Sequence, residues 1–129
     1  MPENKLLVRL LSPERSDGRD EDDRRVGKAE LTADMVIMRC ITGDWGVLPG
    51  HEPRMAVLEG GRGPRAGDGG EFGLLRVVTG DEETRFRVYG GIAEVRGRAA
   101  DDGDADDVLT VVTVLSGYAE TADAVIREK

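Results

Sequence analysis

The only cysteine (Cys40), the only tryptophan (Trp45) and the only histidine (His51) of this 129-residue chain fall within twelve positions. One histidine cannot build a Ser-His-Asp triad or a multi-histidine metal centre. Cys40 lies in the apolar run Val36-Ile37-Met38-Arg39-Cys40-Ile41, where a buried, inert thiol is expected rather than a nucleophile. Asp102, Asp104 and Asp106 have the 1-3-5 spacing of a calcium loop. Asp107 and Thr113, however, stand where that loop needs glycine and a bidentate glutamate, so a solvated loop is expected. Gly61-Arg62-Gly63-Pro64-Arg65-Ala66 imitates a dinucleotide fingerprint only superficially, because Pro64 interrupts it and no helix follows. No phosphate-binding loop ending in Gly-Lys-Ser/Thr occurs. No nucleophile–base pair, metal site or cofactor is expected, and an enzyme active site confined to this chain is not.

What stands out instead is the stretch holding Trp45 and His51. Gly43 to Pro53 packs three glycines and two prolines into eleven residues. Glycine admits positive φ and proline fixes φ, so the backbone path is tightly prescribed. Trp45, Val47 and Leu48 make it too apolar for a free linker. A shaped loop that positions side chains is expected, the kind of segment that carries function. Between its glycines, Trp45 either folds back on the body or stands out as an interface residue, since tryptophan gives large contact area at low entropic cost. His51, before Glu52 and Pro53, reads as a structural hydrogen-bonder in the turn or a partner contact.

The rest of the chain must hold that loop. At 129 residues, with 39% hydrophobic and 34% charged residues, a single domain with one core is expected. A net charge of −8 argues against nucleic acid, which demands a basic patch. Fifteen of the eighteen basic residues are arginine, suited to pairing with the many carboxylates. The lone cysteine fits a reducing compartment. No apolar run approaches the ~20 residues that span a bilayer, and the Met1-Pro2-Glu3-Asn4 start is unlike a signal peptide.

Lys5–Ser12, Met35–Ile41 and Met55–Leu58 read as strands, although a helix also fits the first short run. Leu74–Thr79 and Thr84–Tyr89 form an expected hairpin, with Phe86 and Val88 alternating against Arg85, Arg87 and Tyr89. Gly90-Gly91 suggests a bulge or a close backbone crossing. Strands over Ile92–Arg96 and Val108–Leu115 follow, and Tyr118, Ala122, Val125 and Ile126 are spaced for a short helix over Tyr118–Glu128. Ser16–Arg25, Gly60–Gly73 and Arg98–Asp107 read as loops. The expected fold is all-β, an antiparallel β-sandwich over 1–117 with a short C-terminal helical stub over 118–129.

Four segments in order resemble the epsilon subunit of F-type ATP synthases. They are Val8-Arg9-Leu10-Leu11-Ser12-Pro13-Glu14, the whole Gly43–Pro53 stretch, Val88-Tyr89-Gly90-Gly91-Ile92-Ala93-Glu94-Val95, and Leu109–Leu115 followed by Ala119-Glu120-Thr121-Ala122. The resemblance implies a sandwich at the foot of the central stalk, gripped by the gamma subunit and resting on the membrane c-ring. Within the alpha/beta/gamma/delta/epsilon head it would be a non-catalytic rotor part, held to the cytoplasmic face of the bacterial membrane only through the c-ring. By motif position, Asp44 matches the acid set against the c-ring loop, with Trp45 beside it. His51 matches the histidine near gamma, and Glu52 follows it. The competing expectation is a stand-alone interaction module that kept the fold. Family members carry a two-helix C-terminal domain that can restrain hydrolysis and, in some, bind ATP. This sequence stops near its start, so neither property is expected here. Arg39-Cys40 and Arg54 also depart from the family pattern, and the three polar loops are longer than usual.

Overall fold

The computed structural model describes residues 5–13, 26–61, 71–99 and 108–122. Ten strands account for about two thirds of them: β1 (Lys5–Leu11), β2 (Lys28–Ala33), β3 (Met35–Cys40), β4 (Gly43–Val47), β5 (Arg54–Leu58), β6 (Gly73–Thr79), β7 (Glu82–Val88), β8 (Gly91–Gly97), β9 (Val108–Leu115) and β10 (Ala119–Thr121). They join in one curled sheet of order β10-β7-β6-β3-β5-β8-β9-β1-β2, with β4 attached to β3. The class is all-β, as expected.

Two-residue alternation closes the core. Leu6, Val8 and Leu10 of β1, Val112 and Val114 of β9, and Ala93 and Val95 of β8 turn inward and are buried. Val36, Met38, Leu75, Val77 and Phe86 supply the other half. Each such aliphatic side chain, fully buried, contributes about 1.5–3 kcal/mol relative to exposure.

Three expectations need correction, and one strand was not expected. The sheet is mixed, because β1 lies parallel to β9, Leu6 opposite Thr110 through Leu11 opposite Leu115. These two strands are far apart in sequence, so no hairpin turn marks their pairing. Lys28–Ala33 is a strand that the sequence pattern does not predict; its charged and polar residues alternate on the exposed side of a pair with β1. Gly43–Val47 is a strand rather than a loop, zipped antiparallel to β3. The helix expected from Tyr118 begins instead as β10, with Ala119, Glu120 and Thr121 opposite Val88, Arg87 and Phe86. Residues 123–129 lie outside the described residues, as do Ser16–Arg25 and Asp102, Asp104 and Asp106.

Pairing explains that last strand. Tyr118 is almost fully buried and meets Tyr89 edge to face, ring centroids 5.5 Å apart. The Tyr89 hydroxyl donates to Glu120 Oε2 at 3.2 Å, and Arg87 donates to the same oxygen at 3.3 Å. Burial, then the Glu120 carboxylate, pushes the Tyr89 phenol up to about 12. A helix would leave these groups unpaired in the interior, which costs more than helical spacing gains.

The Gly90-Gly91 crossing is present. Gly60 and Gly90 pack backbone on backbone, and Gly91 presses against β9 at Leu115.

At the β2–β3 corner, Asp34 accepts hydrogen bonds from Lys5 Nζ and from the Gly80 amide of the β6–β7 turn, the latter at 2.7 Å. The Lys5 bond first, then the Gly80 bond, holds its carboxyl below the usual carboxylate range. A depressed acid stabilises the fold fully above its unfolded value and loses that contribution as pH falls through the folded one. Asp34→Asn is therefore expected to lower the urea midpoint at pH 7. The gap from the parent chain should narrow once pH drops below the ordinary carboxylate range, as read by urea titrations at a series of pH values.

Candidate functional site

The β3–β4 hairpin and the turn after it carry the residues singled out from sequence. Arg39 and Asp44 face each other across the hairpin, and Arg39 Nη1 donates to Asp44 Oδ1 at 3.2 Å. Arg39 Nε also donates to Glu59 Oε1 at 2.9 Å. The Glu59 and then the Asp44 carboxylate raise the Arg39 guanidinium above its ordinary value. One cation thus serves two acids on an exposed surface.

Strand alternation sends the next residue the other way. Trp45 turns inward, half-buried against the core. Arg54, at the start of β5, lays its guanidinium 5.4 Å from the indole centroid. The departure of Arg54 from the family pattern is thereby explained as a cation resting on an aromatic ring. His51 meets the same indole edgewise at 5.6 Å.

Two further bonds shape the turn. The His51 amide donates to the Leu48 carbonyl at 3.1 Å, and the Gly50 amide donates to Thr110 Oγ1 of β9 at 2.7 Å. His51 Nδ1 lies 2.8 Å from the Glu52 carbonyl oxygen, which calls for the proton on Nδ1. The structure therefore brings Trp45 and His51 together. Asp44 sits on the opposite face of β4, and the Glu52 side chain is exposed at the end of the turn. Cys40 is buried, and burial pushes its thiol up, consistent with an inert role. Among the described residues, no group of three or more His, Cys, Asp or Glu side chains gathers to hold a metal, and no helix is long and apolar enough to cross a membrane.

A second feature is not predicted from the sequence. Val57 of β5 lies opposite Ile92 of β8, and Ile92 opposite Leu115 of β9. With Ile41, these side chains form an apolar row on the outer face, 65, 50, 39 and 45% exposed for Ile41, Val57, Ile92 and Leu115. Met55, 62% exposed, flanks them. The available signal was adjacency: Met55, Ala56, Val57 and Leu58 are all apolar, so β5 presents apolar side chains to both faces.

The ATP synthase epsilon chain of Streptomyces avermitilis is 31% identical over 108 residues, covering 83% of this chain and 68% of the relative. This chain belongs to the ATP synthase epsilon chain family. The epsilon chain of Frankia casuarinae is 41% identical over 63 residues, 49% of this chain and 61% of that one. The chain thus spans about two thirds or less of these curated relatives' length. A chain of the Euglena gracilis mitochondrial ATP synthase (the OSCP/F1/c-ring assembly) superposes with a TM-score of 0.57 at 20% identity, covering 94% of this chain and 56% of that one. That likeness shows that the two chains share a fold. No family model matches the chain.

Proposed function

We propose that this chain is a central-stalk rotor subunit, coupling rotation of a membrane c-ring to a gamma subunit during ion-driven ATP synthesis. Membership of the epsilon chain family carries the reading. The structure supports it with a rigid all-β body and an exposed apolar row. Close-packed interiors transmit strain with little compression, as a torque-bearing part requires. Contiguous exposed apolar surface marks a protein interface. In this reading the row Ile41, Val57, Ile92 and Leu115 seats gamma. Asp44, with Trp45 behind it, meets the c-ring loops, and His51 and Glu52 border the gamma contact. The chain itself performs no chemistry. It sits at the cytoplasmic face of the membrane through its partners.

Asp44 and Trp45 provide the test. The double replacement Asp44→Ala, Trp45→Ala is expected to lower coupled ATP synthesis in a reconstituted enzyme several-fold, with circular dichroism of the free chain still β-type. Wild-type synthesis rates would remove both residues from the interface.

A further inference from the structure

Arg39 is anchored on three sides before it reaches Asp44. The two residues lie directly opposite each other on β3 and β4, and Arg39 Nη1 donates to Asp44 Oδ1 at 3.2 Å. On the far side of β3, Arg39 Nε donates to Glu59 Oε1 at 2.9 Å. The Glu59 amide in turn donates to the Arg39 carbonyl at 3.1 Å. A Cβ at Gly73 would stand 2.7 Å from the Arg39 Cβ and 3.2 Å from its Cγ, so the bare start of β6 makes room for the arginine stem. Surface ion pairs are weak largely because ordering two long side chains costs entropy. Here the packed stem and the Glu59 bond order Arg39 independently of Asp44.

The charge of Asp44 is answered within the chain. Arg76 of β6 lies opposite Ile37 and so shares the outer face with Arg39. It pairs with Glu83 at 2.8 Å, and its guanidinium is raised above the ordinary value by Glu83 first and also by Asp44. Asp44 thus lies in the field of two arginines of its own chain, and a further cation from outside would gain little there. Hydrogen bonding is what remains open. Asp44 accepts through Oδ1 alone, and no described group takes a proton from Arg39 Nη2. The Arg39 and Asp44 side chains are 52 and 67% exposed, so a partner can reach both. An acceptor oxygen beside an N–H donor complements amide groups, which offer N–H and C=O together.

We infer that Arg39 is a positioning residue for the c-ring contact, and that the c-ring loop meets the Arg39–Asp44 pair with neutral amide groups, not with a Lys or Arg. An amide N–H donates to Asp44 Oδ2, and an amide carbonyl accepts from Arg39 Nη2. This rests on the rotor reading above.

The test measures binding of a gamma-containing subcomplex with this chain to the detergent-solubilised c-ring at about 0.05 and 0.5 M salt, spanning weak and strong screening. Asp44→Asn keeps an acceptor and removes the charge. It should weaken binding about fivefold, and the factor should agree within about twofold between the two salts, since no charge pair across the interface is screened. Arg39→Gln should weaken the parent about fivefold but the Asp44→Asn chain less than about twofold, because Arg39 acts through Asp44. A merely structural role would weaken both alike. Urea midpoints of the variants should stay near the parent's, as exposed pairs contribute little to folding. A loss in Asp44→Asn that vanishes at high salt would mean that the partner supplies a cation, and would overturn the proposal. So would unchanged affinity of Asp44→Asn, or equal effects of Arg39→Gln in the two backgrounds. Each of these leaves the rotor reading standing. A parent subcomplex that binds no c-ring at either salt would overturn both.

Discussion

Replacing Gly91 with alanine is expected to destabilise the chain by about 3 kcal/mol or more, enough to leave much of it unfolded. Gly91 has φ +125°, a conformation that side chains with a Cβ rarely adopt. A Cβ there would stand 2.0 Å from the Leu115 carbonyl oxygen and 2.9 Å from the Ser116 Cα. Both are backbone atoms and cannot rotate aside. Relief requires moving β8 away from β9, and these strands pair from Ile92–Leu115 to Gly97–Thr110 through the middle of the sheet. Conformational strain and overpacking therefore add. Urea denaturation followed by circular dichroism measures the loss. Gly97→Ala is the control, because a Cβ at Gly97 meets nothing within 4 Å. The control should retain most of the parent's stability.

The second large effect concerns binding without folding. Val57 and Ile92 face each other across β5 and β8 on the outer face. The pair Val57→Lys, Ile92→Glu places opposite charges at directly opposed positions, which a sheet tolerates. The free chain should keep its urea midpoint. Association with gamma should fall at least about thirtyfold, because two apolar contacts at the centre of the row become charges that must be desolvated. Titration of labelled chain into a gamma-containing subcomplex reads the change. Unaltered affinity at unaltered stability would remove the row from the interface.

How far the sequence revealed this molecule depended on whether a feature was local. Strands with strong alternation, such as Leu74–Thr79 against Thr84–Tyr89, were legible because the hairpin turn lies between them. The Gly90-Gly91 crossing was legible because glycine inside a strand pattern marks a bulge or a close approach of two backbones. The parallel β1–β9 pairing was not, since its two strands sit at opposite ends of the chain. Tyr118 to Ala122 misled through true helical spacing, overridden by the buried Tyr89–Glu120–Arg87 bonds that hold Ala119–Thr121 on β7. At the candidate site, the tight Gly43–Pro53 stretch singled out Trp45 and His51, which the structure brings together. It did not reveal that Asp44 and Trp45 belong to a strand and therefore face opposite ways. The cover that Arg54 gives Trp45 required the arrangement of β5 beside β3, which no local pattern encodes.

Affinity purification of the tagged chain from its own membranes, followed by quantitative mass spectrometry, tests the rotor role most directly. A rotor subunit should bring down alpha, beta, gamma and c subunits in near-stoichiometric amounts. Recovery of the chain without gamma would contradict that role, and would leave an epsilon-type β fold serving as an interaction module for whatever did co-purify.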